Sequence, residues 1–151
     1  SAEVACLARA AGAATVLHSL PGRNDTVRLG LDALLGECPG LGGCIFLPGD
    51  QPLLRRESLE AMVRDFHAQK ETERVILRLG WRAGGAEPLL GSPVLFGSGH
   101  FDALRALPEG RGGGVVIRQH PGYIRAVYAQ SAEELEDADT VERLEALKRF
   151  L

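Results

Sequence analysis

The sequence predicts an α/β fold, a sheet layered by helices on both faces, and three observations carry that prediction. Short apolar runs of strand length alternate with stretches of helical period. One of these runs, Cys44 to Leu47, is continuously apolar, as in a strand buried on both faces of a parallel sheet. Pro48 and Gly49 end that run, and Asp50, Gln51 and Pro52 turn the chain into a helix, which makes a strand, acidic turn, helix unit.

The order of elements follows from the local pattern. Ala2–Ala11 is rich in helix formers and puts Val4, Leu7 and Ala11 on one face, with Gly12 as its stop. Ala13–His18 reads as a short strand and Ser19–Asp25 as a loop. A helix from about Thr26 to Leu35 carries Val27, Leu31, Leu34 and Leu35 as its apolar stripe, with Asp25 as N-cap. Gly36–Gly43 is a connector. Its glycines precede a strand instead of joining a strand to a following helix, so it is not a phosphate-cradling loop. The helix Ser58–Gln69 buries Leu59, Met62, Val63 and Phe66, and Glu73–Leu79 follows as a strand with Val75, Ile76, Leu77 and Leu79 in the core. Gly80–Ser92 reads as a loop carrying Trp81, which either stacks on a base or covers apolar surface. Pro93–Phe96 and Tyr123–Tyr128 are strands, the second at an edge or half exposed. Glu133–Thr140 is an acidic connection, and Asp139 or Thr140 caps the last helix.

With 151 residues the chain suits one domain, 1–151, and can bury a real core. A hydrophobic content of 45% and a charged content of 25% are ordinary for a globular chain. A net charge of −3 without a basic cluster lacks the electrostatic footprint of nucleic-acid binding. No apolar run approaches the roughly 18 residues that span a bilayer. The N-terminus lacks the charged and apolar regions of a signal peptide, so a cytoplasmic location and no membrane partner are expected. Cys6, Cys38 and Cys44 are odd in number and lack metal-ligand spacing, which predicts buried thiols and neither disulfides nor a zinc site.

Asp50 lies beyond the carboxyl end of its strand, where ligands of open α/β sheets collect, and is well placed for a metal ion; the plainer reading is a turn residue or helix cap. The stretch LPGDQPLL followed by a helix resembles the metal-binding segment of MobA-like nucleotidyltransferases, and among them the molybdenum cofactor cytidylyltransferases. RNDTVRLGL resembles the segment that meets the nucleotide, GHFDALRALPEGRGGGVVIRQHP resembles the family's later turn and helix, and EDADTVERLEAL its closing signature.

The resemblance implies a three-layer α/β/α Rossmann-like nucleotide-diphospho-sugar transferase fold. It implies Asp50 as the catalytic residue and ligand of Mg²⁺, with Asn24 and Thr26 on base or ribose and Arg23 and Arg28 on phosphate. Asn24, Asp25 and Thr26 as simple helix caps remain an equal reading. The alignment puts Gly110 where relatives carry a second metal-binding acid and Gly114 where they carry an arginine; Glu109, the neighbour, is then the substitute second ligand, and the plainer reading is a solvated loop carboxylate. Ser92 stands where relatives have histidine. The family's opening strand and glycine-rich loop do not occur in this sequence, which makes the fold N-terminally truncated, leaves neighbouring strands uncovered and leads to the expectation of a homo-oligomer. The implied reaction transfers CMP or GMP from CTP or GTP to a molybdopterin-type cofactor and releases pyrophosphate. The alternatives are a non-catalytic α/β binding or assembly module and a sugar-phosphate nucleotidyltransferase.

Overall fold

The computed structural model describes residues 1–84 and 87–150, so Gly85 and Ala86, within the expected 80–92 loop, lie outside the described residues. The α/β expectation is met: helices accompany one four-stranded sheet of order β1-β3-β2-β4. Two compact units form, Ser1–Leu41 with Phe101–Gln119 and Gly42–His100 with His120–Leu151.

The second unit holds the sheet, made of β1 (Gly43–Phe46), β2 (Ile76–Trp81), β3 (Leu89–Gly97) and β4 (Ile124–Tyr128). β3 runs antiparallel to both β1 and β2, whereas β4 pairs parallel with β2. β1, β2 and β4 therefore point the same way and share one carboxyl end. The expected parallel strand at Cys44–Leu47 is corrected on two counts. β1 lies at the edge of the sheet with an antiparallel neighbour, and of its run only Cys44 is buried while Leu47 is exposed. An apolar run of four residues does not report strand direction, because edge and centre positions both accept it.

The core lies against the face of β2 that carries Leu77 and Leu79. Met62 and Phe66 of α3 (Arg56–Ala68) pack there with Val75, Leu95, Val127 and Ala129, and Ile45 and Leu135 close the margin. Leu77 stands opposite Leu95 in the β2–β3 register, so each strand contributes alternate residues to one apolar layer. Val63, expected in the stripe, is 41% exposed because it sits at the rim of the buried arc. Trp81 and Leu89 pair at the ends of β2 and β3, so much of the expected 80–92 loop is strand. The hairpin glycines of this stretch had masked a ladder that extends well before Pro93. β4 is an edge strand, as expected.

In the first unit, α1 (Ala2–Ala10) is capped by the Ser1 hydroxyl, α2 spans Arg23–Glu37, and α4 (Phe101–Arg105) and α5 (Gly114–Gln119) follow later in the chain. Leu31, Leu104 and Val116 are buried. Ala13–His18 is not a strand: among the described residues it enters no ladder, and β structure requires a partner for its backbone groups. The expected Val4 and Leu7 face of α1 is exposed, and Ala5 is its buried residue. Returning to the second unit, Thr140 accepts from the Arg143 amide and caps α6 (Val141–Leu147), as the sequence indicated.

The cysteines are free, but only Cys44 is buried; Cys6 and Cys38 are exposed, which corrects the expectation of three buried thiols. Burial pushes the Cys44 thiol up from its ordinary range. Leu77→Ala is expected to lower stability by about 2–5 kcal/mol and Val63→Ala to change it by no more than about 0.5 kcal/mol, as read by urea unfolding. Alkylation near pH 8 should modify Cys6 and Cys38 quickly and Cys44 only after unfolding, since the thiolate is the reacting form.

Candidate functional site

The shared carboxyl end of β1, β2 and β4 is where the second unit gathers its polar loops. Asp50 follows β1 by way of Pro48 and Gly49, and its side chain is exposed to solvent while its backbone is held. The Asp50 carbonyl accepts from the Ala138 amide at 2.8 Å, and the Gln51 side-chain amide donates to Asp137 Oδ1 at 3.1 Å. The turn then closes with the Leu54 amide on the Gln51 carbonyl and runs into α3.

That junction is completed from a distant stretch. Arg55 is the N-cap of α3 and offers no side-chain cap of its own. Glu134, 1% exposed, meets this N-terminus: Oε2 accepts from the Ser58 hydroxyl at 2.5 Å and from the Arg55 amide at 3.2 Å, and Oε1 accepts from the Gln130 amide at 2.9 Å. An ionised carboxylate is acceptor-only and suits three converging donors, and its charge favours the positive end of the helix. The Arg55 guanidinium also donates to Gln130 Oε1 at 3.0 Å. Between Pro52–Arg55 and the Ser131, Glu133 and Phe150 side lies a cleft of about 450 Å³. The Glu133 backbone amide and then the Ser131 hydroxyl hold the Glu133 carboxyl below the usual carboxylate range. Glu134 was read in the sequence only as part of an acidic connection. Its one distinguishing mark is the apolar Leu135 that follows and packs on the core.

In the first unit, the expected start of α2 near Thr26 is corrected to Arg23, with Gly22 as N-cap. The Gly22 carbonyl accepts from the Asp25 and Thr26 amides, and a Cβ at this position would collide with the Asn24 side chain. Asp25 therefore lies inside the first turn, where it pairs with Arg28 at 3.2 Å. Thr26 Oγ1 lies 3.1 Å from His18 Nε2, and Asn24 Oδ1 accepts from the Gly110 amide at 2.9 Å. Arg23 is exposed at the head of the helix.

The Asn24 bond brings the Pro108–Arg111 turn, with its exposed Glu109, to the start of α2. In that turn the Arg111 amide donates to the Pro108 carbonyl, and Gly110 has φ of +70°, as the third residue of a type II turn requires. Thus Arg23, Asn24, Arg28 and Glu109 belong to the first unit and Asp50 to the second.

Among the described residues no group of three or more His, Cys, Asp and Glu side chains is arranged to hold a metal ion. Mg²⁺ in phosphate chemistry needs less than that, being held through one or two carboxylates plus substrate phosphates and water. A solvent-facing Asp50 on a tethered backbone is a hard oxygen donor of this kind.

The sequence model of the MobA-like NTP transferase domain matches residues 3–126. The chain belongs to this family. No curated protein matches it. Among solved structures, this MobA-like chain is similar to Rv0371c from Mycobacterium tuberculosis H37Rv, with a TM-score of 0.72 at 22% identity over 97% of this chain and 72% of that one. It is also similar to the Rv0371c homologue from Mycobacterium sp. strain JC1, with a TM-score of 0.61 at 19% identity over 89% of this chain and 63% of that one. At these identities the likeness is one of fold. Among the described residues no helix is long and apolar enough to cross a membrane.

Gly110→Ala is expected to cost about 1–2 kcal/mol, since a Cβ in left-handed backbone is strained. Denaturant unfolding would measure it, and Gly112→Ala, where no neighbouring atom lies within 4 Å and φ is not positive, is the matched control.

Proposed function

We propose that this chain is a nucleotidyltransferase domain that transfers CMP or GMP from CTP or GTP to a phosphate-bearing, molybdopterin-type acceptor. In that reaction a terminal phosphate oxygen of the acceptor attacks the α-phosphorus of the nucleotide. A new O–P bond forms, the α–β bridging P–O bond breaks, and pyrophosphate leaves with the electron pair. The observation that carries the reading is Asp50, a solvent-facing carboxylate past the carboxyl end of β1 in a chain of the MobA-like family.

In this reading Asp50 holds Mg²⁺, and the ion when bound neutralises and orients the phosphates. Asp50 keeps that carboxylate at a set distance from the sheet through its own tethered backbone. Arg23, exposed at the positive end of α2, attracts phosphate oxygens. Asn24 and Thr26 offer polar groups to base or ribose, and Arg28 adds charge. Glu109, exposed on the Pro108–Arg111 turn, offers a further carboxylate to a metal ion.

A second reading, a non-catalytic α/β module, is favoured by one specific observation. Asn24, Thr26 and Arg28 each already meet a group of the chain itself: Gly110, His18 and Asp25. Polar groups engaged in this way must give up a partner to meet a ligand.

Calorimetric titration with CTP and with GTP, each with and without Mg²⁺, separates the two. Magnesium-dependent heat is expected for the transferase, and its absence with both nucleotides leaves the module. Asp50→Ala should remove the magnesium-dependent part of binding and leave the melting temperature unchanged, because the side chain is in solvent. A variant that fails to fold would mark Asp50 as a structural cap.

A further inference from the structure

We propose that Glu134 is a positioning residue for Asp50: a buried carboxylate that fastens the segment after β4 to the Asp50 turn and so sets where the Asp50 side chain stands. The proposal rests on the metal-binding reading of Asp50 for its chemical consequence, and on geometry alone for the clamp itself.

Topology supplies the first step. β1 and β4 point the same way, so the chain leaving each emerges at the same end of the sheet. The two exits are then joined by hydrogen bonds at both ends of the Asp50 turn. At its start, Ala138 donates to the Asp50 carbonyl at 2.8 Å and Gln51 donates to Asp137 at 3.1 Å. At its finish, Arg55 donates its amide to Glu134 at 3.2 Å and its guanidinium to Gln130 at 3.0 Å.

Of these partners only Glu134 is buried, at 1% exposure, and only Glu134 binds both segments at once, with Ser58 and Arg55 on one side and Gln130 on the other. The Gln51–Asp137 and Arg55–Gln130 cross-links are exposed hydrogen bonds that water can replace. Leu135, next in sequence, packs on the apolar layer and holds the backbone of Glu134 in register with it. The anchor is thus a buried carboxylate with three donors and an apolar neighbour, and the Asp50 turn hangs between it and Ala138.

A carboxylate that meets a metal ion is effective only if its oxygens stay within a few tenths of an ångström of their place, and partners that fix such ligands affect metal affinity about 10- to 100-fold. Glu134→Gln keeps the shape but turns one acceptor into a donor that faces a donor. Two measurements on the purified full chain test its effect. The first is amide hydrogen exchange at Leu54 and Ala138, whose amides donate to Gln51 and Asp50 and not to Glu134, with Leu79 and Val127 of the ladder as references. The second is the Mg²⁺ concentration that gives half of the CTP-binding heat.

Faster exchange at Leu54 and Ala138 with unchanged references, together with a Mg²⁺ requirement raised about 10-fold or more and recovered at excess Mg²⁺, is the expected result. Faster exchange confined to Arg55 and Gln130, the direct partners, would overturn the proposal and leave Glu134 a local cap. Loosened amides with an unchanged Mg²⁺ requirement would overturn it too. If the wild-type chain binds neither nucleotide yet the two amides loosen, the transferase reading falls while the clamp stands. Ser58→Ala, which removes one donor and keeps the charge, should shift the same two amides in the same direction by less, and supplies the test if Glu134→Gln does not fold.

Discussion

Taking a carboxylate out of water is costly unless donors replace the lost hydration, and the second unit is built around one case where they do. Glu134 meets the Ser58 hydroxyl and the Arg55 and Gln130 amides, which leaves neither of its oxygens without a donor. The same contacts answer a need of α3. The first turn of any helix has amides without intrahelical partners, and Arg55 at the N-cap cannot accept for them. In a capping box the acid three residues into the helix reaches back to the N-cap amide; here that reach comes from an acid 79 residues away in sequence. Glu134 or the buried Ser58 hydroxyl, deprived of the other, would be left unsatisfied, at about 1–3 kcal/mol per group.

That dependence reaches the sheet through two packed residues. Met62 and Phe66 bury on Leu77, Leu79 and Val127 only if α3 starts at the right height, and the start is where Glu134 binds. Leu135 adds its side chain to the same layer, so the polar clamp and the apolar core are joined through one peptide bond. The strand directions make this possible: with β1 and β4 parallel through β3 and β2, the two loops have no choice of end. Fold and candidate site are therefore coupled at the α3 N-terminus and much less at Asp50 itself, which faces solvent.

What was legible in the sequence was what depends on near neighbours along the chain. The periodicity of Met62 and Phe66, the alternation at Leu77 and Leu79, the Thr140 cap and the turn at Pro48–Asp50 each involve residues within a few positions of one another. Strand partners are not local. Cys44–Phe46 looks the same whether its neighbour runs parallel or antiparallel, and Ala13–His18 has strand-like residues but no ladder among the described residues. Gly22 displaced Asp25 as N-cap because close approach of the Asn24 side chain, not cap preference, governs that corner. Glu134 was hidden for a related reason: five carboxylates lie between Glu133 and Asp139, and only the tertiary fold separates the buried one from the rest.

In the first unit one turn is decided by its backbone conformation. The resemblance to relatives sets an acid where this chain has Gly110, and at φ of +70° the residues that visit such backbone are glycine, then asparagine and aspartate. Glycine and aspartate are thus two solutions to one turn. The Gly110 amide meets Asn24 at 2.9 Å, which holds the turn at the head of α2. Glycine meets that backbone at the least steric cost, and its amide ties the turn to α2 through Asn24.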